Sequence, residues 1–401
     1  MDNYLLRFIP FIVFGFFLHK AIRRKNKVAI SIISLYFISS FSSLLIFSEN
    51  LKFHDFSTDS LFSFIVYTII HSIFLSLTFL VKPFRSIKDL PNGRLYNLIQ
   101  LIFISGIVFS FIYLTPYAIK SLLLSALELR SDMQIQGLKV LPVSIFTTIA
   151  VGFPSFYYVY CLLLFNAIVK KQKLIAFLSL LGPITFIINV LTVSGRDGVL
   201  FVFFSFIITY FLFENLISVR QKKRLKNFFI LGFILALIPI FYITIDRFSK
   251  SGKFDFNTLN RGLINYLGMQ PFVFSDYLND PKTYYNYGAN SFPLVISSEV
   301  VKTKTFYSGQ FGSFLTSFYR ISGYSSLFLV SLIFYLLFFL LLKNNRRYSI
   351  LSMIFILGLF FHFMISGIFY FRLGNRGGNL FMVLSFLMFF LLRNTRKHLN
   401  R

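Results

Sequence analysis

Apolar residues fill this chain in long blocks, and nearly all charged residues fall in the gaps between them. The blocks run over 4–18, 28–47, 61–81, 98–117, 143–169, 174–193, 199–217, 228–245, 325–342, 350–371 and 380–392. A helix needs about 20 apolar residues to cross the hydrocarbon core of a bilayer. The pattern therefore predicts an all-α polytopic membrane protein with about eleven transmembrane helices. It divides the chain into helices one to eight (1–245), one large loop (246–324), and helices nine to eleven with a basic tail (325–401).

Composition agrees with that division. Of 401 residues, 56% are hydrophobic and 13% charged, with a mean hydropathy of +0.73. A soluble domain has roughly 45–50% apolar and 25% charged residues. There are 58 Phe, 22 Tyr and no Trp, so Tyr and Phe must supply the interfacial anchoring and ring stacking. Cys161 is the single cysteine, which excludes an intrachain disulfide and a cysteine-based metal site. The first block is followed by His19-Lys20 and a basic cluster, without a small-residue cleavage site, so no cleavable signal peptide is expected.

The net charge of +26 changes meaning once the charges are placed. The connectors after blocks one, three, five, seven, nine and eleven hold 24 of the 40 basic residues, against only Asp89 and Glu214. Such alternation is the positive-inside signal and assigns these connectors to the cytoplasm. A multi-pass membrane protein is expected, with its amino terminus outside and its carboxyl terminus cytoplasmic. Nucleic acid is not expected as a partner, because a binding face would concentrate charge on one element and not divide it among six short connectors. Membrane lipids are the expected counterpart of these loops.

The opposite side carries the candidate chemistry. Residues 118–142 read as a helix lying on the membrane surface, 194–198 as a tight turn, and 246–324 as the one stretch long enough to fold outside the bilayer. Six arginines lie at or near span ends there: Arg196, Arg247, Arg261, Arg320, Arg372 and Arg376. A guanidinium is a planar, permanently charged fork suited to phosphate oxygens, so a group of them can bind a lipid diphosphate. The competing explanation for each is snorkelling to headgroups. Arg196 opens a helix whose amides favour an anion. For Arg372–Asn379, either the last helix begins near Gly374 and buries Arg376, or a broken helix presents its N-terminus and glycine amides. Candidate general bases are Asp246, Asp276 and His362, although a histidine within a span, like His71, is more commonly a packing residue. Tyr277, Tyr284, Tyr285 and Tyr287 are candidates for stacking on sugar rings. No phosphate-binding glycine loop, His-Glu-x-x-His, Gly-x-Ser-x-Gly or Asp-x-Asp pair is present, so neither a metal nor another cofactor is expected.

Three places, together with the span pattern, carry a resemblance: Ser194-Gly195-Arg196-Asp197-Gly198; Tyr266-Leu267-Gly268 through Phe274-Ser275-Asp276-Tyr277; and Gln310 to Gly323. The arrangement resembles the bacterial O-antigen or oligosaccharide repeat-unit polymerases, the Wzy family. Members often carry an Asp shortly before the last glycine, where this chain has Ile321-Ser322. The resemblance implies a polyprenol-dependent, GT-C-like, metal-independent inverting glycosyltransferase of lipopolysaccharide O-antigen biosynthesis. Its substrate would be an undecaprenyl-diphosphate-linked oligosaccharide, moved onto the non-reducing-end sugar of another lipid-linked repeat. It also implies a chain-length regulator as partner, with the six arginines on the diphosphate and the long loop choosing the sugar. A lipid-linked oligosaccharide flippase and an O-antigen ligase are the alternatives.

Overall fold

The computed structural model describes residues 4–46, 59–84, 93–123, 141–142, 144–192, 197–248, 256–279, 285, 287–289, 291–296, 312–343 and 350–392. All regular structure among them is helical. A 3-10 turn, Tyr4–Arg7, leads into α1 (Phe8–Arg23), α2 (Lys27–Leu44), α3 (Leu61–Leu77), α4 (Arg94–Leu123), α5 (Ile145–Gly152), α6 (Tyr157–Val169), α7 (Lys173–Leu191), α8 (Asp197–Phe213) and α9 (Val219–Phe248). After these come α10 (Phe256–Gly268), α11 (Gln270–Asn279), α12 (Ser313–Ser322), α13 (Tyr324–Lys343), α14 (Ile350–Gly367) and α15 (Arg376–Leu392).

Helix starts follow local capping chemistry. Asn26, Ser60 and Ser144 each accept a hydrogen bond from the amide three residues on, which satisfies one of the orphan donors of the first turn. Lys25 and Lys171 take positive φ (51° and 59°) in the sharp basic turns between α1 and α2 and between α6 and α7. A helix overlaps each of the eleven expected blocks. Seven stretches among the described residues are long and apolar enough to cross a membrane: Tyr4–Arg23, Lys27–Leu44, Leu61–Leu80, Arg94–Ser121, Ile145–Val169, Lys173–Leu191 and Tyr324–Lys343. Asp197–Phe213, Ser352–Gly367 and Gly377–Leu392 are apolar but shorter. The chain thus has the build of a multi-pass helical membrane protein. Residues 124–140, most of the expected surface helix, lie outside the described residues.

Contacts group the chain into two units, each made of non-consecutive stretches. The first comprises Met1–Lys82, Asn260–Arg347 and Phe360–Val383; the second comprises Pro83–Leu259, Tyr348–Leu359 and Leu384–Arg401. In the second, α6 is the core: Tyr157 through Phe165 are all buried, as expected for a helix apolar on every side. Tyr157 stacks on Phe186 with centroids 4.0 Å apart, and a Cβ at Gly182 would lie 2.2 Å from the Tyr160 ring, so glycine lets α7 close against α6. In the first unit, Phe314, Phe318, Phe334, Phe363 and Phe371 form one aromatic core with centroid separations of 4.7–6.3 Å. Two of those rings belong to α12, part of the stretch expected to fold outside the bilayer as a loop. Packed against α3 and α13, α12 is an internal element of the bundle, because its amphipathic face finds partners there.

Candidate functional site

The chemistry-bearing residues that can be followed in detail all belong to the first unit. Their framework begins with α11. A Cβ at Gly268 would lie 2.6 Å from the backbone carbon of Ser42, so glycine permits the chain to pass directly over α2 just before α11 starts. Gln270, fully buried, then accepts from Ser39 Oγ at 3.1 Å and donates to the Tyr266 carbonyl at 2.8 Å. Ser63 on α3 donates to Ser275 Oγ at 2.9 Å, and Asn279 donates to the same oxygen at 3.2 Å. Phe272 and Phe274 pack on Phe64 and Tyr67, each pair at 5.9 Å. With one face of α11 satisfied in this way, Asp276 and Tyr277 are left half-buried.

Arg7, 2% exposed, is a buried arginine that does not belong to the six at the span ends. Its guanidinium lies over Tyr4 (4.8 Å) and Phe272 (4.9 Å) and donates to the Ile46 carbonyl. It ties the start of α1 to α11. The available signal was an arginine inside the first apolar block, where a charge is expensive unless it is held by partners.

α12 brings the second group. Arg320, 8% exposed, stands with its guanidinium carbon 5.7 Å from the Tyr277 centroid, a cation–π pair between α12 and α11. Two expected residues, one from the diphosphate set and one from the sugar set, are thus brought together, next in sequence to Asp276. Tyr319 is nearly buried and packs on Tyr285 (6.3 Å) and Tyr324 (5.2 Å). Burial pushes its phenol up to about 12, with the neighbouring Tyr285 and Tyr324 adding to the effect, so it remains a neutral hydroxyl. Tyr287 is exposed in a turn at φ 47°. At the end of α12, Gly323 takes φ 82°, a conformation suited to glycine, and passes close under the Tyr285 hydroxyl.

The third group surrounds Arg372. The Ser313 amide donates to the Phe369 carbonyl at 3.1 Å, which pins the start of α12 to the chain just before Arg372. Phe318 packs on Phe371 at 5.1 Å. Arg372 is half-buried, donates to the Tyr370 hydroxyl and lies 5.9 Å from that ring's centroid. A 3-10 turn (Arg372–Gly374) follows, and Asn375 Oδ1 then accepts from the Gly378 amide at 2.6 Å, so α15 begins at Arg376. A helix N-terminus at residue 376 settles where the last helix starts. Buried Asn379 fixes this turn to the remainder of the long segment: its Nδ2 donates to Leu373 O (2.6 Å) and Ser291 O (3.1 Å), and its Oδ1 accepts from the Leu294 amide (3.4 Å).

His362 lies on α14, 1% exposed, with its ring 5.3 Å from Phe381. That is a fully buried position beside Phe381, near enough to Arg372 to feel its charge. Arg261 and Arg376 are on described helices of the first unit, Asp246 and Arg247 on α9 of the second, but the side chains of all four lie outside the described residues. Arg196 and Tyr284 lie outside them altogether; α8 begins at Asp197, within the stretch 194–198 expected as the turn. Of the six expected arginines, Arg320 and Arg372 are therefore the two whose side chains are placed, on elements in direct contact. No group of His, Cys, Asp and Glu among the described residues has the arrangement of a metal site.

Chemically, the first unit offers the Arg320 and Arg372 guanidiniums, the Asp276 carboxylate, several phenol hydroxyls and the N-terminus of α15, on elements joined by contacts between distant parts of the chain. Such a set can bind an anion and accept a proton from a neighbouring hydroxyl. Comparison of the chain with protein-family models, with curated proteins and with solved structures finds no match in any of the three.

Proposed function

We propose that the protein is an O-antigen polymerase: an eleven-span, GT-C-like inverting glycosyltransferase of the bacterial inner membrane, working at the periplasmic face on undecaprenyl-diphosphate-linked oligosaccharide. The observation that carries this reading is Arg320 standing over Tyr277, with Asp276 beside it, on short helices built into the bundle. A hydroxyl of the acceptor's non-reducing-end sugar attacks the anomeric carbon of the donor glycan. The bond from that carbon to the diphosphate oxygen breaks, and the hydroxyl proton passes to the Asp276 carboxylate. Arg320 and Arg372 neutralise the charge that develops on the departing diphosphate, the task a metal performs in other transferases. Tyr277 and Tyr285 face the sugar.

The test is a chromosomal deletion complemented by variants and read as lipopolysaccharide ladders on gels. Loss of a polymerase leaves lipopolysaccharide with a single repeat unit, whereas loss of a ligase leaves none and loss of a flippase none on the outer leaflet. Arg320→Ala and Arg372→Ala should give the single-repeat product at normal membrane expression. Full ladders from both variants remove the diphosphate role, and a deletion strain without any surface repeat removes the polymerase assignment.

A further inference from the structure

In the second unit, α7, α8 and α9 enclose an open cavity of about 250 Å³ whose lining is wholly apolar. Leu180 and Ile184 line it from α7, Phe203 and Phe206 from α8, and Phe228 and Gly232 from α9. Phe229 closes its floor by packing on Phe206 (5.5 Å) and Phe165 (6.2 Å). Phe228 remains 46% exposed, and a Cβ at Gly232 would meet nothing within 4 Å, so protein does not fill this space.

Charge marks one end of the groove. α7 and α9 both start from the basic side of the unit, and the Gln221 side chain donates to the Ile168 carbonyl at 3.1 Å, which holds the first turn of α9 beside the end of α6. Residues 170–173 and 214–226 carry eight cations and one carboxylate, Glu214. Two of these cations share the groove's own faces. Lys173, Phe177, Leu180 and Ile184 recur at the 4–3–4 spacing of a single helical stripe on α7. Arg224, Phe228 and Gly232 recur every four residues on α9. At 1.5 Å per residue, Lys173 lies roughly 10 Å and Arg224 roughly 6 Å before the first lining residue of its helix. Both are exposed.

The geometry points to a binding site for an anionic glycerophospholipid, with the phosphate between Lys173 and Arg224 and one acyl chain lying in the α7–α8–α9 groove. A cation pair at headgroup level above an unfilled apolar groove fits a phosphodiester with a hydrocarbon chain attached. A zwitterionic lipid would fit the groove equally well but would bring a positive charge into a cluster that already has an excess of them. The site makes no use of Asp276, Arg320 or Arg372, so it stands or falls independently of the polymerase reading.

The full-length protein in detergent, offered equal phosphatidylglycerol and phosphatidylcholine, tests this by native mass spectrometry of the retained lipid. Phosphatidylglycerol should be retained roughly tenfold or more over phosphatidylcholine, since each surface cation near a headgroup contributes about a factor of five. The Lys173→Gln/Arg224→Gln pair should remove that preference, and Gly232→Phe should remove bound lipid by filling the groove. Gly232→Ala, and Lys20→Gln/Arg24→Gln on a different connector, should leave retention unchanged. The exposed cation variants keep the test valid should Gly232→Phe fail to fold, as read by size exclusion. Equal retention of the two lipids, a preference that survives the cation variants, a groove lipid that survives in folded Gly232→Phe, or a polyprenyl phosphate found in the phospholipid's place each overturns the assignment.

Discussion

Replacing Gly268 with alanine tests whether α11 is seated where the site requires it. The added methyl would lie 2.6 Å from Ser42 C and Ser43 N and 2.8 Å from Ser42 O, all backbone atoms, so no side-chain rotation relieves the contact. To regain ordinary carbon contact distances of about 3.5 Å, the end of α10 and α2 must separate by roughly 1 Å, directly before α11 starts. Forcing a methylene into a packed interface costs about 1–3 kcal/mol. In a helix the same change otherwise gains up to about 1 kcal/mol over glycine. Gly268→Ala should therefore lower the melting temperature in detergent by a few degrees, while Gly232→Ala, in open space, should leave it unchanged or raise it. The displacement also loosens the bonds from Ser39 to Gln270 and from Ser63 to Ser275, which orient Asp276 and Tyr277. A shift of about 1 Å at a reacting group can cost 100-fold in rate, so the lipopolysaccharide ladder should shorten or vanish at normal expression. Melting of Gly268→Ala at or above wild type, together with a full ladder, would refute the close passage of Gly268 over α2 that seats α11.

Tyr277→Phe keeps the ring under Arg320 and should retain most chain extension, whereas Tyr277→Ala removes a cation–π contact of about 0.5–2 kcal/mol and should fail; equal ladders from the two would remove that pair from the site. Asn379→Leu strips partners from two carbonyls and an amide, and at about 1–3 kcal/mol for a buried unsatisfied group it should destabilise the protein and speed proteolytic cutting within 287–296. Tyr319 has its pKa raised from 10.0 to about 12 by burial, so the folded state holds this proton more tightly than the unfolded state. The contribution is complete below pH 10 and lost as pH rises through about 12. Melting of wild type should fall more steeply across that window than melting of Tyr319→Phe, and parallel curves would contradict the burial of this phenol.

Local pattern was enough to determine the class and the ladder of helices. An apolar block of some 15–25 residues has one low-energy form in hydrocarbon, a helix that satisfies its own amides. Thus the blocks at 28–47, 61–81 and 325–342 reappear as α2, α3 and α13 with bounds shifted by a few residues. The start of a helix at the 194–198 turn was legible for the same reason, since its causes lie within a few residues, although α8 begins at Asp197, inside that stretch. Of the candidate site, the residue types were legible, and Arg320, Tyr277 and Asp276 were all named from the chain alone.

What only the tertiary structure decided is which of them meet. α11 and α12 score as loop because they are ten residues long and carry Gln, Ser, Asp and Arg. Their burial is made possible by groups elsewhere: Ser63 lies 212 residues from Ser275, and Ser39 lies 231 from Gln270. Hydropathy summed over a window prices a polar side chain as if it were left bare in hydrocarbon, whereas a hydrogen bond to a distant partner removes most of that cost. The role of Arg7 was invisible for the same reason: Tyr4, Phe272 and the Ile46 carbonyl are among its partners, and packing brings them together. Sequence fixes where a chain can be helical, because that is settled bond by bond along the backbone. Pairing between remote polar groups is settled by packing, and only the folded bundle contains that information.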